Sequence, residues 1–274
     1  MRAVFLLTAC VSIIAVALIC LFLFGNGLPA LVKIGIEDFI FGRRWRPGSD
    51  LYGIFPMILG SIYVTAGAIV IGVPIGILTA IFLSEFCPPK LYRLFKPAVG
   101  LLAGIPSVVY GFFGLVILVP FIRSTLGGTG NSWLAASILL GIMILPTIIE
   151  VSESAIRAVP RHYYEGGLAL GATHERSVFF IVVPAAKSGI FASVVLGIGR
   201  AFGETMAVIM VAGNQARMPD GLLKGLRTLT VNIVMEMGYA SDLHREALIG
   251  TGVVLFVFIL IINMSFSIIK RKAG

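Results

Sequence analysis

The chain has 274 residues, 58% of them hydrophobic and only 12% charged, with a formal net charge of +8. Soluble domains run near 25% charged residues, so this composition excludes an ordinary soluble domain, and a positive excess of this size in a membrane protein does not argue for nucleic acid. A bilayer core about 30 Å thick needs roughly 20 apolar residues of helix, and six windows approach or meet that length: Ala3 to Phe24, Pro56 to Ser84, Pro97 to Ile122, Ser132 to Ile149, Ser188 to Gly213 and Ala247 to Ile269. Backbone groups in hydrocarbon must pair internally, and the windows are too long for the strands of a barrel. The expected fold is therefore an all-α polytopic membrane protein, one transmembrane domain over residues 1–274 with six helices.

The first window, behind Arg2, is longer than the apolar core of a signal peptide, and "FGNGLPALVK" holds no small-residue cleavage pattern, so it is expected to be retained. Short loops orient such a chain. Lys90, Arg93 and Lys96 follow the second window and Lys270, Arg271 and Lys272 close the sequence, which predicts that both termini are cytoplasmic. The two outer segments, Gly25 to Phe55 and Asn214 to Glu246, hold four Lys/Arg each but also seven acids between them. Arg43, Arg44 and Arg46 in the first of these read as a surface cluster. Cys10, Cys20 and Cys87 suggest neither a disulfide nor a metal framework, and His162, His174 and His244 stand apart as interfacial residues, so no metal site is expected.

In the second to fourth windows, Gly72 with Gly76 and Gly100 with Gly104 are small-residue pairs suited to helix packing. Pro106 in "GIPSVVYG" is placed to kink the third span, which would turn Ser107 or Tyr110 toward a path between helices. Glu150 and Glu153 end the fourth span and are expected to be solvated.

Residues 150–187 form the longest cytoplasmic segment. From Tyr163 to Phe179 the pattern is helical and broken at Gly171, with Pro160 before it and Pro184 after it. This stretch resembles the signature of ABC importer permeases, E-A-A, three residues, G, nine residues, I, one residue, L-P. Glu165, Gly166 and Gly167 occupy the first block, Gly171 the central glycine, and Ile181, Val183 and Pro184 the last. The departures are glycine at 166 and 167, which weakens the helix by about 1 kcal/mol per residue, and valine at 183. The resemblance implies a coupling helix that docks on a separate ATPase. The chain has no Gly-Lys dipeptide and hence no phosphate-cradling loop, so ATP and Mg are expected on that partner and no cofactor in this chain.

The fifth window contains "GIGRAFGETMAVIM". Arg200 lies 13 residues past Lys187, about 20 Å into the membrane on a helix, and Glu204 follows four residues later, on the same face if the helix continues. Intramembrane charges mark paths or internal pairs. Either the two residues staple helices together, or Arg200 contacts an anionic solute while Glu204 moderates its hold. "GRAFGETMAVIMVAGN", with "LLAGIPSVVYGFFGL" and "IMILPTI", is similar to phosphate-specific ABC importer permeases of the PstC type. That resemblance implies a phosphate path through Arg200 and Glu204, and a location in a bacterial or archaeal cytoplasmic membrane. It also implies a PstA-type partner, two copies of an ATPase and an extracytoplasmic phosphate-binding protein. The same residues leave open another oxyanion, sulfate, molybdate or phosphonate, and a membrane sensor that only docks a cytoplasmic protein.

Overall fold

The computed structural model describes residues 1–273, without the side chains of residues 3, 266, 267 and 269–273, so Gly274 and the side chains of the basic tail lie outside the described residues. Its helices are α1 (Arg2–Ile34), α2 (Ile36–Phe41), α3 (Phe55–Ile81), α4 (Pro89–Gly104), α5 (Ser107–Phe113), α6 (Val119–Leu126), α7 (Trp133–Arg157), α8 (Arg161–Ala169), α9 (His174–Ser177), α10 (Val183–Ala185), α11 (Lys187–Gly203), α12 (Met206–Val211), α13 (Leu229–Glu236) and α14 (Asp242–Ala273). Wide helical turns continue α3 over Phe82–Phe86, join α5 to α6 over Gly114–Leu118, and join α9 to α10 over Val178–Val182. Among the described residues, five helices are long and apolar enough to cross a membrane, or six if the pair bent by 68° between Ala185 and Lys187 forms one span. The expected all-helical fold holds, apart from a short antiparallel pair, Trp45–Arg46 with Leu51–Tyr52.

The chain divides into two compact units. One comprises residues 1–60, 214–219 and 226–260. Its core gathers Leu31, Phe39, Trp45, Tyr52, Ile54, Met57, Leu229, Leu248 and Val253. Gly27 lets α1 approach α14, since a Cβ there would stand 2.5 Å from Val253. Glu236 is buried in this unit, accepting hydrogen bonds from Trp45 Nε1 at 2.8 Å and Arg227 Nη1 at 2.6 Å, with His244 Nε2 at 2.9 Å. His244 is therefore part of a polar cluster, not the isolated interfacial residue expected: a buried carboxylate requires such partners.

The other unit holds residues 61–213 and 220–225 together with the C-terminal residues from Ile261. At its centre is α7, with Ala136, Leu139, Leu140, Met143, Ile144 and Ile148 buried on several faces. Ser132 caps this helix by accepting the N–H of Ala135 at 3.2 Å. Beyond the apolar window the helix runs on to Arg157, so residues 150–157 belong to α7 and the following segment begins at Ala158. Buried Ile156 and the Glu153–Arg157 ion pair at 2.9 Å carry it there. Gly72 and Gly76 of α3 face α7: a Cβ at Gly72 would lie 2.8 Å from the Gly141 carbonyl and Ile144, and one at Gly76 2.7 Å from Ile148. Gly72→Ala should therefore cost about 1 kcal/mol through overpacking, read as a lower unfolding temperature in detergent. Gly104→Ala is the control, because nothing lies within 4 Å of its Cβ position. A Cβ at Gly100 would meet only Glu150 Oε1 of α7, at 4.0 Å, so among the described residues this pair lacks the close helix packing seen at Gly72 and Gly76.

The third apolar window is two elements. Ile105 is extended (φ −69°, ψ 125°) and α4 stops at Gly104. Proline lacks an N–H and disfavours helical geometry at the residue before it, so Pro106 ends one helix and begins the next instead of kinking a continuous span.

Candidate functional site

The fifth span breaks in the middle. Helix α11 ends at Gly203, Glu204 is extended (φ −69°, ψ 133°), and the chain resumes as α12 at Met206. The Glu204 carboxylate turns forward: Oε1 accepts the N–H groups of Thr205 and Ala207, each at 3.1 Å. Those donors would otherwise be orphaned at a helix start, and an anion there also meets the positive end of the helix dipole. The expectation that Arg200 and Glu204 lie on one helical face fails for this reason, because the helix stops between them. Arg200 points to α7, where Nη1 donates to Thr147 Oγ1 at 2.9 Å. It is half-buried, and positions 199 and 203 beside it have open space where a Cβ would stand. The arrangement is a guanidinium near the C-terminal end of α11, beside a backbone break and exposed glycine surface. Glu204→Ala should remove the cap and cost about 1 kcal/mol, while Glu204→Gln, which keeps an acceptor oxygen, should cost less; thermal unfolding of the purified chain checks both.

The Pro106 break lies in the same unit. Ser107 is the half-buried first residue of α5. Tyr110 is 6% exposed and its hydroxyl donates to the Leu102 carbonyl at 2.9 Å, bridging the break and repairing one of the freed carbonyls of α4. Helix α5 packs closely on α12: a Cβ at Gly111 would lie 2.7 Å from Met210 Sδ and 3.0 Å from Ala207 Cα. The two helices that begin after the two breaks are therefore in contact.

Residues 161–185 form a compact hairpin of short helices. Helix α8 runs unbroken through Gly166 and Gly167. Gly167 is buried, and a Cβ there would stand 2.6 Å from Ile181 Cδ1 and 2.7 Å from Ser177 Oγ, so the two ends of the motif touch. The glycine that weakens the helix is what permits this approach. Gly166 faces outward with nothing within 4 Å of its Cβ position. Gly171 turns the chain at φ +83°, a conformation that glycine adopts without strain. Thr173 caps α9, accepting the Arg176 N–H at 3.3 Å. Hydrogen bonds from its own backbone N–H and the Thr173 hydroxyl hold the Glu175 carboxyl below the usual range. Tyr164 O–H lies 2.8 Å from His174 Nδ1, and the His174 ring meets Phe86 edge-on at 4.7 Å, so His174 belongs to the hairpin's packing. Glu165 and Pro184 are exposed, as are Leu170 at 91% and Phe180 at 75%.

A second buried carboxylate cluster, besides that of Glu236, has no counterpart among the sequence expectations. Glu153, expected to be solvated, is 2% exposed. Its Oε1 accepts from Tyr92 O–H at 2.8 Å and Arg157 Nε at 2.9 Å, and Oε2 accepts from Lys96 Nζ at 2.8 Å. The i,i+4 spacings of Tyr92 with Lys96 and Glu153 with Arg157 were the available signal, but nothing in them shows that the two pairs meet.

Residues 72–273 match the family described as "Binding-protein-dependent transport system inner membrane component". The chain is 40% identical over 99% of its length to a probable ABC transporter permease protein, YqgH, of Bacillus subtilis, covering 91% of that protein. It is 36% identical over 88% of its length to the phosphate transport system permease protein PstC of Mesorhizobium japonicum, covering 80% of that protein. In fold it is similar to a chain of the inward-facing MetNI methionine ABC transporter, with a TM-score of 0.66 at 21% identity over 84% of this chain and all of that one. This chain belongs to the family of binding-protein-dependent transport system inner membrane components and is a transporter permease subunit, not an enzyme.

Proposed function

We propose that the chain is the PstC-type permease subunit of an ATP-driven phosphate importer, contributing half of the translocation path. The observation that carries this reading is Arg200, about 20 Å along α11 from Lys187 by the standard helical rise, held by Thr147 beside the Glu204 break. A guanidinium stays charged at any relevant pH and offers a planar fork of donors to a tetrahedral oxyanion. The phosphate-transport name of a relative 36% identical over most of the chain supports phosphate as that anion. Glu204 then has a part beyond moderating the arginine: it holds the break open as a cap. Ser107 and Tyr110 flank the second break of the same path.

The hairpin with Glu165, Gly166, Gly167, Gly171, Ile181 and Pro184 docks on the ATPase, offering Leu170 and Phe180 to a partner groove. The complete transporter pairs this chain with a PstA-type permease, two ATPase copies that bind ATP and Mg, and an extracytoplasmic phosphate-binding protein, in a cytoplasmic membrane with both termini inside. Proteoliposomes holding that complex should accumulate labelled phosphate in preference to sulfate, molybdate or phosphonate when ATP is supplied. Equal or greater uptake of another oxyanion would overturn the phosphate assignment.

A further inference from the structure

The Glu153 cluster sits where three elements meet. Tyr92 and Lys96 come from α4, Glu153 and Arg157 from α7, and Arg157 Nη2 also donates to the Leu83 carbonyl of the wide turn after α3 at 2.9 Å. Arg157 lies over the Tyr92 ring at 4.6 Å, and the apolar side chains of Leu83, Val99 and Ile149 seal the junction. Three donors satisfy a carboxylate that would otherwise be costly to bury. The cluster is also contiguous with the hairpin. Arg157 is the last residue of α7, three before Pro160, which opens α8. Phe86, at the end of the same wide turn, packs on His174 at 4.7 Å and Phe179 at 6.1 Å. At its other end α4 runs into the Ile105–Pro106 break, bridged by Tyr110 to Leu102. An unbroken series of packed and hydrogen-bonded groups therefore leads from the hairpin, through Glu153, to one of the two broken helices.

Resting on the reading of the chain as a permease, we propose that Glu153 is a positioning residue that locks α4 to the base of the hairpin, so that displacement of the hairpin is delivered to the Ile105–Pro106 break. It touches no solute. Its charge matters because Lys96 and Arg157 are drawn together only by a carboxylate; a neutral amide of the same shape holds them weakly and lets α4 slip.

The test uses the complete transporter in proteoliposomes and reads phosphate moved per ATP hydrolysed, at equal amounts of assembled complex. Glu153→Gln should lower that ratio roughly tenfold, within the range of ordinary coupling energies between sites, while the ATPase rate stays near that of the unaltered complex. Since one neutralised partner can leave Lys96 uncompensated, the double variant Lys96→Met with Glu153→Gln is measured alongside it and should show the same fall. Glu153→Asp should recover part of the ratio. An unchanged ratio in either assembled variant overturns the proposal, and so does failure of both to assemble, which would make the cluster a structural pillar only. Failure of the phosphate reading appears elsewhere, as absent phosphate uptake by the unaltered complex.

Discussion

Arg200→Gln should cut phosphate uptake by the assembled transporter roughly 10- to 150-fold, the loss that follows from removing a charge-assisted contact of about 1.5–3 kcal/mol. Glutamine removes the charge, and its amide ends two bonds short of the Nη1 that donates to Thr147 Oγ1 at 2.9 Å, so uptake is compared only between complexes assembled to the same extent. The measurement is initial uptake of labelled phosphate at matched membrane levels and matched ATPase content. Arg200→Lys should recover part of the rate, because the charge returns without the planar fork. Normal uptake by the glutamine variant would leave Arg200 as a helix-to-helix tie and remove it from the path.

Gly167→Leu should weaken docking of this chain on its ATPase more than any change to an exposed hairpin residue. A Cβ at that position already reaches 2.6 Å from Ile181 and 2.7 Å from Ser177, and a branched side chain has nowhere to go. The hairpin must open, at a cost of about 1–3 kcal/mol, which corresponds to roughly a 5- to 150-fold loss of ATPase affinity if the docked form needs the closed hairpin. Gly166→Ala is the control: its Cβ would meet nothing within 4 Å, alanine is the better helix former, and affinity should hold or improve. Retention of the ATPase during purification, titrated against added ATPase, separates the two. Equal retention would show that the hairpin docks in a form that tolerates an open Gly167 contact.

The six apolar windows were legible because hydrocarbon leaves a backbone few choices, and length with hydropathy is enough to state them. The hairpin was legible from spacing, since Gly171, at φ +83°, is a position that favours glycine. Gly166 and Gly167 are equivalent departures from alanine in the sequence but not in the fold. One faces open space and the other sits against Ile181, a contact that helix propensity does not contain. The burial of Glu153 was equally invisible, because its partner Tyr92 is 61 residues away.

Residue order alone thus established a polytopic helical protein and the register of the hairpin motif, both properties of local composition and spacing. Where helices continue was settled by three-dimensional partners. Apolar content runs straight through Ile105 and Glu204, yet both residues are extended, because Pro106 withholds an N–H and the Glu204 carboxylate takes over two others. Arg200 finds Thr147, 53 positions earlier, in place of the neighbour four residues along. A periodicity describes the faces of a helix that exists, whereas the free energy of ending one depends on which distant or local groups can satisfy its exposed donors and acceptors, and those are assembled only by folding.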